Sequence, residues 1–251
     1  MPVNYDDIAR RYDRHRPSGG DLCLDRLAGM LDGHRRALEI GAGTGNTTRI
    51  TGPRHAGLLA AMEPSAGMVD QAREKGVPGT WLRGRAPGIP FRDGSFDAAY
   101  STYVLQHVPD LGAMFADIAR VLRPGGFTAH VTVPPDYIAN HPLNHYFPSF
   151  ARIDLGRFTP VEKLKDLLEK AGFTGVAWEI EQEPPKPMNR AYLERVEHRF
   201  LSTFDLMPPE EYGEGLDRMR RDVEAGDGTT GHMVVREAVL IWARKTEGGN
   251  A

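Results

Sequence analysis

The sequence predicts an α/β fold, a mainly parallel sheet with helices on both faces. Three observations support it. Short apolar runs alternate with longer amphipathic ones along most of the chain. One apolar run, residues 36–40, passes straight into a turn with Gly41, Gly43 and Gly45 at alternate positions. A second, residues 57–62, ends in the carboxylate of Glu63.

The predicted strands are residues 36–40, 57–62, 80–83, 96–101, 127–133, 175–181 and 234–244. The predicted helices are residues 21–31, 46–51, 65–75, 111–122 and 160–171. Gly172 fits the stop of the last helix, and Arg123-Pro124-Gly125-Gly126 stops the one before it. Two stretches exceed a minimal sheet. Residues 134–158 are rich in proline, aromatics and histidine, and residues 184–231 hold two more helical patterns near 189–204 and 209–224. Both read as insertions that form a cap over the C-terminal ends of the strands, where ligands bind in open α/β sheets. With 251 residues, the chain suits a single domain over 1–251 with these insertions.

Composition narrows the function. Net charge is -3, which does not suggest a general nucleic-acid binder. The local exception is the cluster Arg10, Arg11, Arg14, His15 and Arg16, which reads as a solvated helix face or an attractor of anions. No apolar run reaches the roughly 20 residues that cross a bilayer. The N-terminus lacks the apolar core of a signal peptide, so the cytoplasm is the expected location. Cys23 is the only cysteine, which excludes an intrachain disulfide and multi-thiolate metal sites. It reads as a small core residue rather than a nucleophile. No metal-ligand spacing is found.

The glycine turn reads Gly41-Ala42-Gly43-Thr44-Gly45-Asn46. Glycine permits positive φ and lets a ligand approach backbone without an intervening Cβ. A dinucleotide site would place its third glycine where Asn46 stands, which argues against a pyrophosphate on this helix. Adjacent strand ends bring Glu63 beside the turn. A carboxylate there accepts hydrogen bonds from both hydroxyls of a ribose. The competing reading has Glu63 capping the helix that begins near Ser65; the neighbouring glycine turn favours ribose.

These residues resemble class I S-adenosylmethionine (SAM)-dependent methyltransferases, in particular the small-molecule enzymes of the methyltransferase type 11 group. The resemblance is close over residues 5–126. It rests on the glycine turn, on Glu63, and on Phe91-Arg92-Asp93-Gly94-Ser95-Phe96-Asp97. Leu105-Gln106-His107-Val108 and Val121-Leu122-Arg123-Pro124-Gly125-Gly126 extend it, and Tyr5-Asp6-Asp7-Ile8-Ala9 followed by Tyr12-Asp13 looks like the family's N-terminal lid, here residues 1–20. The resemblance implies a Rossmann-like, mostly parallel seven-stranded sheet whose last strand, 234–244, is antiparallel. It implies that Glu39 and Gly41, Gly43 and Gly45 face the methionine portion of SAM and that Glu63 holds the ribose. Met68 and the backbone of Ala86 would meet the adenine, and Ser101 the methionine amino group. One departure stands out: the family often has Gly-Asp-Ala where this chain has Gly84-Arg85-Ala86, and arginine has no acceptor for the adenine amino group.

Methyl transfer from SAM needs an acceptor atom in line with the S–CH3 bond, and a base only if that atom must lose a proton. Candidate acceptor-side residues are Tyr5, Tyr12 and Arg16 on the lid, Tyr103, Gln106 and His107 after the fourth strand, and Tyr137, His141, His145 and Tyr146 in the first insertion. His107 and His145 are the candidate bases; for His107 the competing reading is packing of the loop before helix 111–122. In the pattern around 191–200, His198 and Arg199 read mainly as surface charges on an amphipathic helix. Ser101-Thr102-Tyr103-Val104 stands where DNA amino-methyltransferases carry Asn/Asp-Pro-Pro-aromatic, and Cys23 is badly placed for cytosine carbon-5 chemistry. The expected acceptor is therefore a small organic molecule, partly apolar and ring-bearing, in specialised metabolism. The alternatives are an RNA-modifying methyltransferase that uses the Arg10 to Arg16 cluster, and a SAM-binding regulatory protein without turnover.

Overall fold

The computed structural model describes Asp6, residues 22–55 and residues 57–247. Its centre is a seven-stranded sheet in the order β3-β2-β1-β4-β5-β9-β6. The strands are β1 (Arg36–Ile40), β2 (Leu58–Glu63), β3 (Thr80–Arg83), β4 (Phe96–Thr102), β5 (Leu122–Thr132), β6 (Phe173–Gln182) and β9 (Glu237–Lys245). β1 to β5 are mutually parallel, and β9 runs antiparallel to both β5 and β6. β1 and β4 lie at the centre and are buried on both faces, as parallel strands covered by helices are.

Alternation along the strands sends side chains to two cores. Leu38, Ile40, Met62 and Ala99 pack under α4 (Leu111–Val121) and α8 (Val161–Lys170) through Met114, Phe115, Ile118, Leu164 and Leu168. Ala37, Leu59, Ala98 and Tyr100 pack on the other face against Leu24 and Leu27 of α1 (Leu24–Met30). Cys23 is buried beside α1, with its N–H donating to Glu181 Oε2 at 2.6 Å. Burial pushes its thiol up to about 12, with the nearby Glu181 acting in the same direction. It is a core residue, not a nucleophile.

The connections that build the site are α2 (Asn46–Thr51) after β1, α3 (Ala66–Glu74) after β2, and a short 3-10 turn, Leu105–His107, after β4. Chain order reverses between β1 and β4, which opens a crevice at their C-terminal ends. The loop beyond the 3-10 turn is pinned by Asp110, whose Oδ1 accepts from Ala113 N at 2.8 Å and caps α4. We expect Asp110→Ala to cost about 1 kcal/mol, checked by urea denaturation, with the loss confined to stability.

Residues 134–158 fold into α5 (Pro135–Ala139), α6 (Leu143–Tyr146) and α7 (Phe150–Leu155). Residues 184–231 hold α9 (Arg190–Glu197), a 3-10 turn at Ser202–Asp205 and α10 (Pro209–Ala225). The two insertions pack on each other around Phe147, Phe204, Met219 and Val223, a core separate from those of the sheet. Three details differ from the sequence reading. The helix expected over 189–204 stops at Glu197, because Arg199 takes a left-handed φ of 51° and turns its guanidinium over the Tyr212 ring, 3.7 Å from the centroid. Residues β7 (Lys186–Asn189) and β8 (Thr229–Val234) pair as an antiparallel two-stranded sheet. Val234 thereby ends β8, and the last strand of the main sheet begins at Glu237. Strand and helix compete for these residues on local propensity, and the pairing partner decides. Among the described residues no helix is long and apolar enough to cross a membrane.

Candidate functional site

The three glycines of the turn serve two purposes. Gly41 has φ 69°, and a Cβ on it would stand 2.4 Å from Val104 Cγ2 in the loop after β4. Gly45, at φ 82°, begins α2, and a Cβ there would meet Val77 at 2.8 Å and Trp81 at 3.0 Å. Gly43 has φ 55° and nothing within 4 Å of its missing Cβ. It lines an open cavity of about 300 Å³. Two of the glycines are therefore required by packing and one by the space in front of it.

Glu63 closes the opposite wall. Its Oε2 accepts from Gly43 N at 3.0 Å and its Oε1 from Ser65 N at 3.0 Å. The two readings of this residue, cap and ligand holder, are compatible. Each oxygen takes one backbone donor and keeps a further lone pair. Burial pushes its carboxyl up, while the Ser65 and Gly43 amides pull it down and Asp6 pushes it up again. Ser65 Oγ accepts from Met68 N and donates to Asp6 Oδ1 at 2.7 Å, and Gly67 N also donates to Asp6. Asp6 thus sits on the rim beside Glu63; the rest of the predicted lid, including Tyr5, Tyr12, Arg16 and the basic cluster, lies outside the described residues. Met68, Ala86 and Arg85 line the same cavity.

Glu39 lies behind the turn, 1% exposed. Its Oε2 accepts from Thr48 Oγ1 at 2.7 Å and from Tyr100 Oη at 3.0 Å. Its Oε1 is buried with no hydrogen-bond partner. Burial raises this carboxyl to about 7, against the opposing pull of Thr48 and Tyr100. A raised folded-state value means the folded protein holds the proton longer than the unfolded chain. Stability contributed by protonated Glu39 is then full below the usual value of 4.5 and is lost as pH rises through about 7. We expect Glu39→Gln to flatten the fall in stability between those limits by about 1–2 kcal/mol, measured as the difference in denaturation midpoints of the two proteins at pH 5 and pH 8.

Ser101 is not where the resemblance implies its side chain to be. Its Oγ is fully buried and bonded to His130 Nδ1 at 2.8 Å. Thr128 Oγ1 lies 3.0 Å from His130 Nε2 and donates to Ala99 O. That hydroxyl therefore accepts from Nε2–H, so Nδ1 accepts from Ser101. The neighbour Thr102 lines the cavity instead, with its Oγ1 2.8 Å from Thr47 Oγ1.

A second cavity, of about 160 Å³, adjoins the first through two shared residues, Tyr103 and His107. Tyr103 is at φ 55°, unusual for a residue with a side chain, and is held there by its N–H to Val131 O and by Gln106 Nε2 donating to its carbonyl. Tyr137, His141 and residues of the second insertion complete the chamber. His141 is buried; its Nδ1 accepts from Leu143 N at 3.0 Å, and burial drives its imidazole down to about 4. It is neutral at pH 7.

His145 lies elsewhere. It is exposed at the end of α6, edge-to-face with Tyr146 and tilted against His232 of β8, and lines neither cavity. Tyr146 is likewise committed, donating to Asp222 Oδ2 at 2.7 Å. His141 precedes α6 and faces the second cavity, while His145 on α6 faces away from it, which residue type alone does not reveal. Sequence reasoning also missed Tyr192, Arg195, Arg157, Asp154 and Arg236, which line the second cavity. The amphipathic pattern around 191–200 was the only signal, and it pointed one turn too far. His198 bonds back to Glu194 O, and Arg199 is spent on Tyr212.

Bare backbone facing a buried carboxylate at a strand-order reversal, with a capped chamber alongside, is the layout of an α/β nucleoside-binding transferase. Residues 38–129 match the type 11 family model described as a methyltransferase domain. Residues 38–129 therefore carry a methyltransferase domain of that type, a kind of domain that uses SAM as its cofactor. The chain is similar to a malonyl-[acyl-carrier protein] O-methyltransferase of Laribacter hongkongensis, 30% identical over 208 residues, covering 72% of this chain and 65% of that protein. It is also similar to a demethylmenaquinone methyltransferase of Beutenbergia cavernae, 34% identical over 140 residues, covering 52% of this chain and 58% of that one. The match thus spans less than two thirds of the length of either relative. The fold is shared with a putative methyltransferase of an antibiotic biosynthesis pathway from Anabaena variabilis, at a TM-score of 0.66 and 22% identity over 88% of this chain and 95% of that one.

Proposed function

We propose that the protein transfers the methyl group of SAM to a small organic acceptor held in the second cavity. The observation that carries this reading is that the two cavities share Tyr103 and His107 in their walls. A donor seated at Gly43 and an acceptor under the cap would meet there.

The residues present fit the cofactor. Gly43 leaves room for it, Glu63 keeps lone pairs for two ribose hydroxyls, and Glu39 Oε1 has a vacant acceptor site suited to an ammonium group. SAM supplies a methyl group already activated on a sulfonium. In this reading Glu63 orients the ribose, Met68 and Ala86 flank the adenine, and Glu39 accepts from the methionine amino group across the turn. Arg85, exposed at the rim, replaces the usual acid, so the adenine edge is left to backbone. Gly41 and Gly45 hold the turn against Val104, Val77 and Trp81. Tyr103 and His107 position the acceptor atom for in-line displacement at roughly 3–3.5 Å from the methyl carbon. His107 takes up a proton where the acceptor must lose one. The cap excludes water.

A compact chamber favours a small acceptor over RNA, whose recognition would depend on the Arg10 to Arg16 cluster outside the described residues. The test is incubation with methyl-labelled SAM and a panel of ring-bearing acids, phenols and amines. Label should appear in an acceptor, with S-adenosylhomocysteine released in equal amount. SAM binding with no labelled product across the panel would favour a regulatory protein.

A further inference from the structure

One wall of the first cavity is fixed from behind. Residues 84–91 follow β3, and Arg85 and Ala86 of this loop line the cavity. Most of the loop's amides are committed. Gly84 N donates to Glu63 O at 3.2 Å, and Phe91 N to Ile89 O at 2.9 Å. Pro87 and Pro90 have no N–H. Gly88 N and Ile89 N both donate to Asp117 Oδ2 at 2.7 Å. The amides of Arg85 and Ala86 donate to no described residue. The loop's two remaining donors thus belong to the two residues that line the cavity.

Asp117 is on α4 and lines neither cavity. Its other oxygen accepts from Arg120 Nε at 2.9 Å and Nη2 at 2.7 Å, one helical turn further along. Arg120 in turn donates to Ile89 O at 2.8 Å, to Phe91 O at 2.7 Å and to Asp93 Oδ1 at 3.0 Å. The pair therefore grips two amides and two carbonyls of the loop, all through charge-assisted hydrogen bonds, the stronger kind. Gly88, at φ 105°, lets two successive amides converge on one oxygen. Ile89, gripped at both its N–H and its carbonyl, is buried in the core under α4.

We propose that Asp117 and Arg120 are positioning residues for the base of the methyl donor. By gripping the loop from Gly88 to Phe91 they set the place of the Ala86 amide, two residues before the grip begins. Adenine N1 is an acceptor and can take that N–H. Hypoxanthine carries a hydrogen on N1 and would set donor against donor, leaving both unsatisfied. Arg85 offers no side-chain acceptor to the adenine amino group, so the choice of base falls on the backbone donor and on whatever holds it in place. This assignment rests on the reading that places adenine against Ala86.

The experiment titrates the full chain calorimetrically with S-adenosylhomocysteine and with S-inosylhomocysteine, its hypoxanthine counterpart. The wild type should prefer the adenine ligand by at least about tenfold. Asp117→Ala releases both loop amides and should bring that preference to within about threefold. Asp117→Asn keeps one oxygen for those amides and should fall between the two. The fitted stoichiometry reports the folded fraction. A merely structural role for Asp117 would lower the stoichiometry or the denaturation midpoint and leave the ratio of the two affinities unchanged. An undiminished preference in folded Asp117→Ala or, should that variant not fold, in Asp117→Asn overturns the proposal. A wild type that binds both ligands equally overturns the reading of Ala86 and the proposal with it. One that binds neither overturns the donor site itself.

Discussion

Gly43→Val is expected to abolish measurable binding of S-adenosylhomocysteine while leaving a folded protein. Nothing lies within 4 Å of the added Cβ, so the protein itself offers no clash. The two methyls of valine would instead occupy the cavity that Gly43 and Glu63 both line, where the ligand must pass within contact distance of backbone. Valine at φ 55° also carries strain of about 1–2 kcal/mol, which should lower the denaturation midpoint modestly. The affinity loss should exceed about 100-fold, or close to 3 kcal/mol. Calorimetric titration and thermal denaturation on the same preparation separate the two effects. Near wild-type affinity in this variant would mean that the ligand does not approach the turn. The contrast is Gly41→Val, where the clash with Val104 is internal and the damage should fall on stability first.

Glu63→Ala is expected to weaken binding of the same ligand by about 1–3 kcal/mol, roughly 5- to 150-fold. Two causes act together. The ribose hydroxyls lose their acceptors, and the amides of Gly43 and Ser65 lose the carboxylate that fixes the turn to the start of α3. Glu63→Gln separates them, since its amide keeps one acceptor oxygen and presents an NH₂ group to an amide N–H that it cannot satisfy. An affinity between those of the wild type and Glu63→Ala is expected for it. If both variants bind as the wild type does, Glu63 only caps the helix.

How much of this was legible in the sequence depends on whether local chemistry or distant pairing decided the outcome. The turn from Gly41 to Gly45 and the strand ending in Glu63 carry their roles in residue type and order, and they lie together at the mouth of the first cavity. The antiparallel last strand followed from the resemblance, and β9 pairs in that way with β5 and β6. The cap did not read as clearly. Whether residues 184–231 give a helix through 204 or a break at Arg199 depends on Tyr212, far along the chain. His145 and Tyr192 show the same limit at the acceptor chamber. Both are aromatic polar residues in insertions, and only the packing of α6 and α9 decides that Tyr192 faces inward and His145 does not. Ser101 and Thr102 differ by one position on β4, and strand alternation, with the His130 hydrogen bond, sends the first inward and leaves the second at the cavity.

The central claim, that the glycine turn and Glu63 hold the nucleoside of a sulfonium donor, is tested most directly by calorimetric titration of the full chain with SAM. The account predicts one saturable site, emptied by S-adenosylhomocysteine and indifferent to NAD. Absence of heat, or displacement by NAD as effective as by S-adenosylhomocysteine, would contradict it.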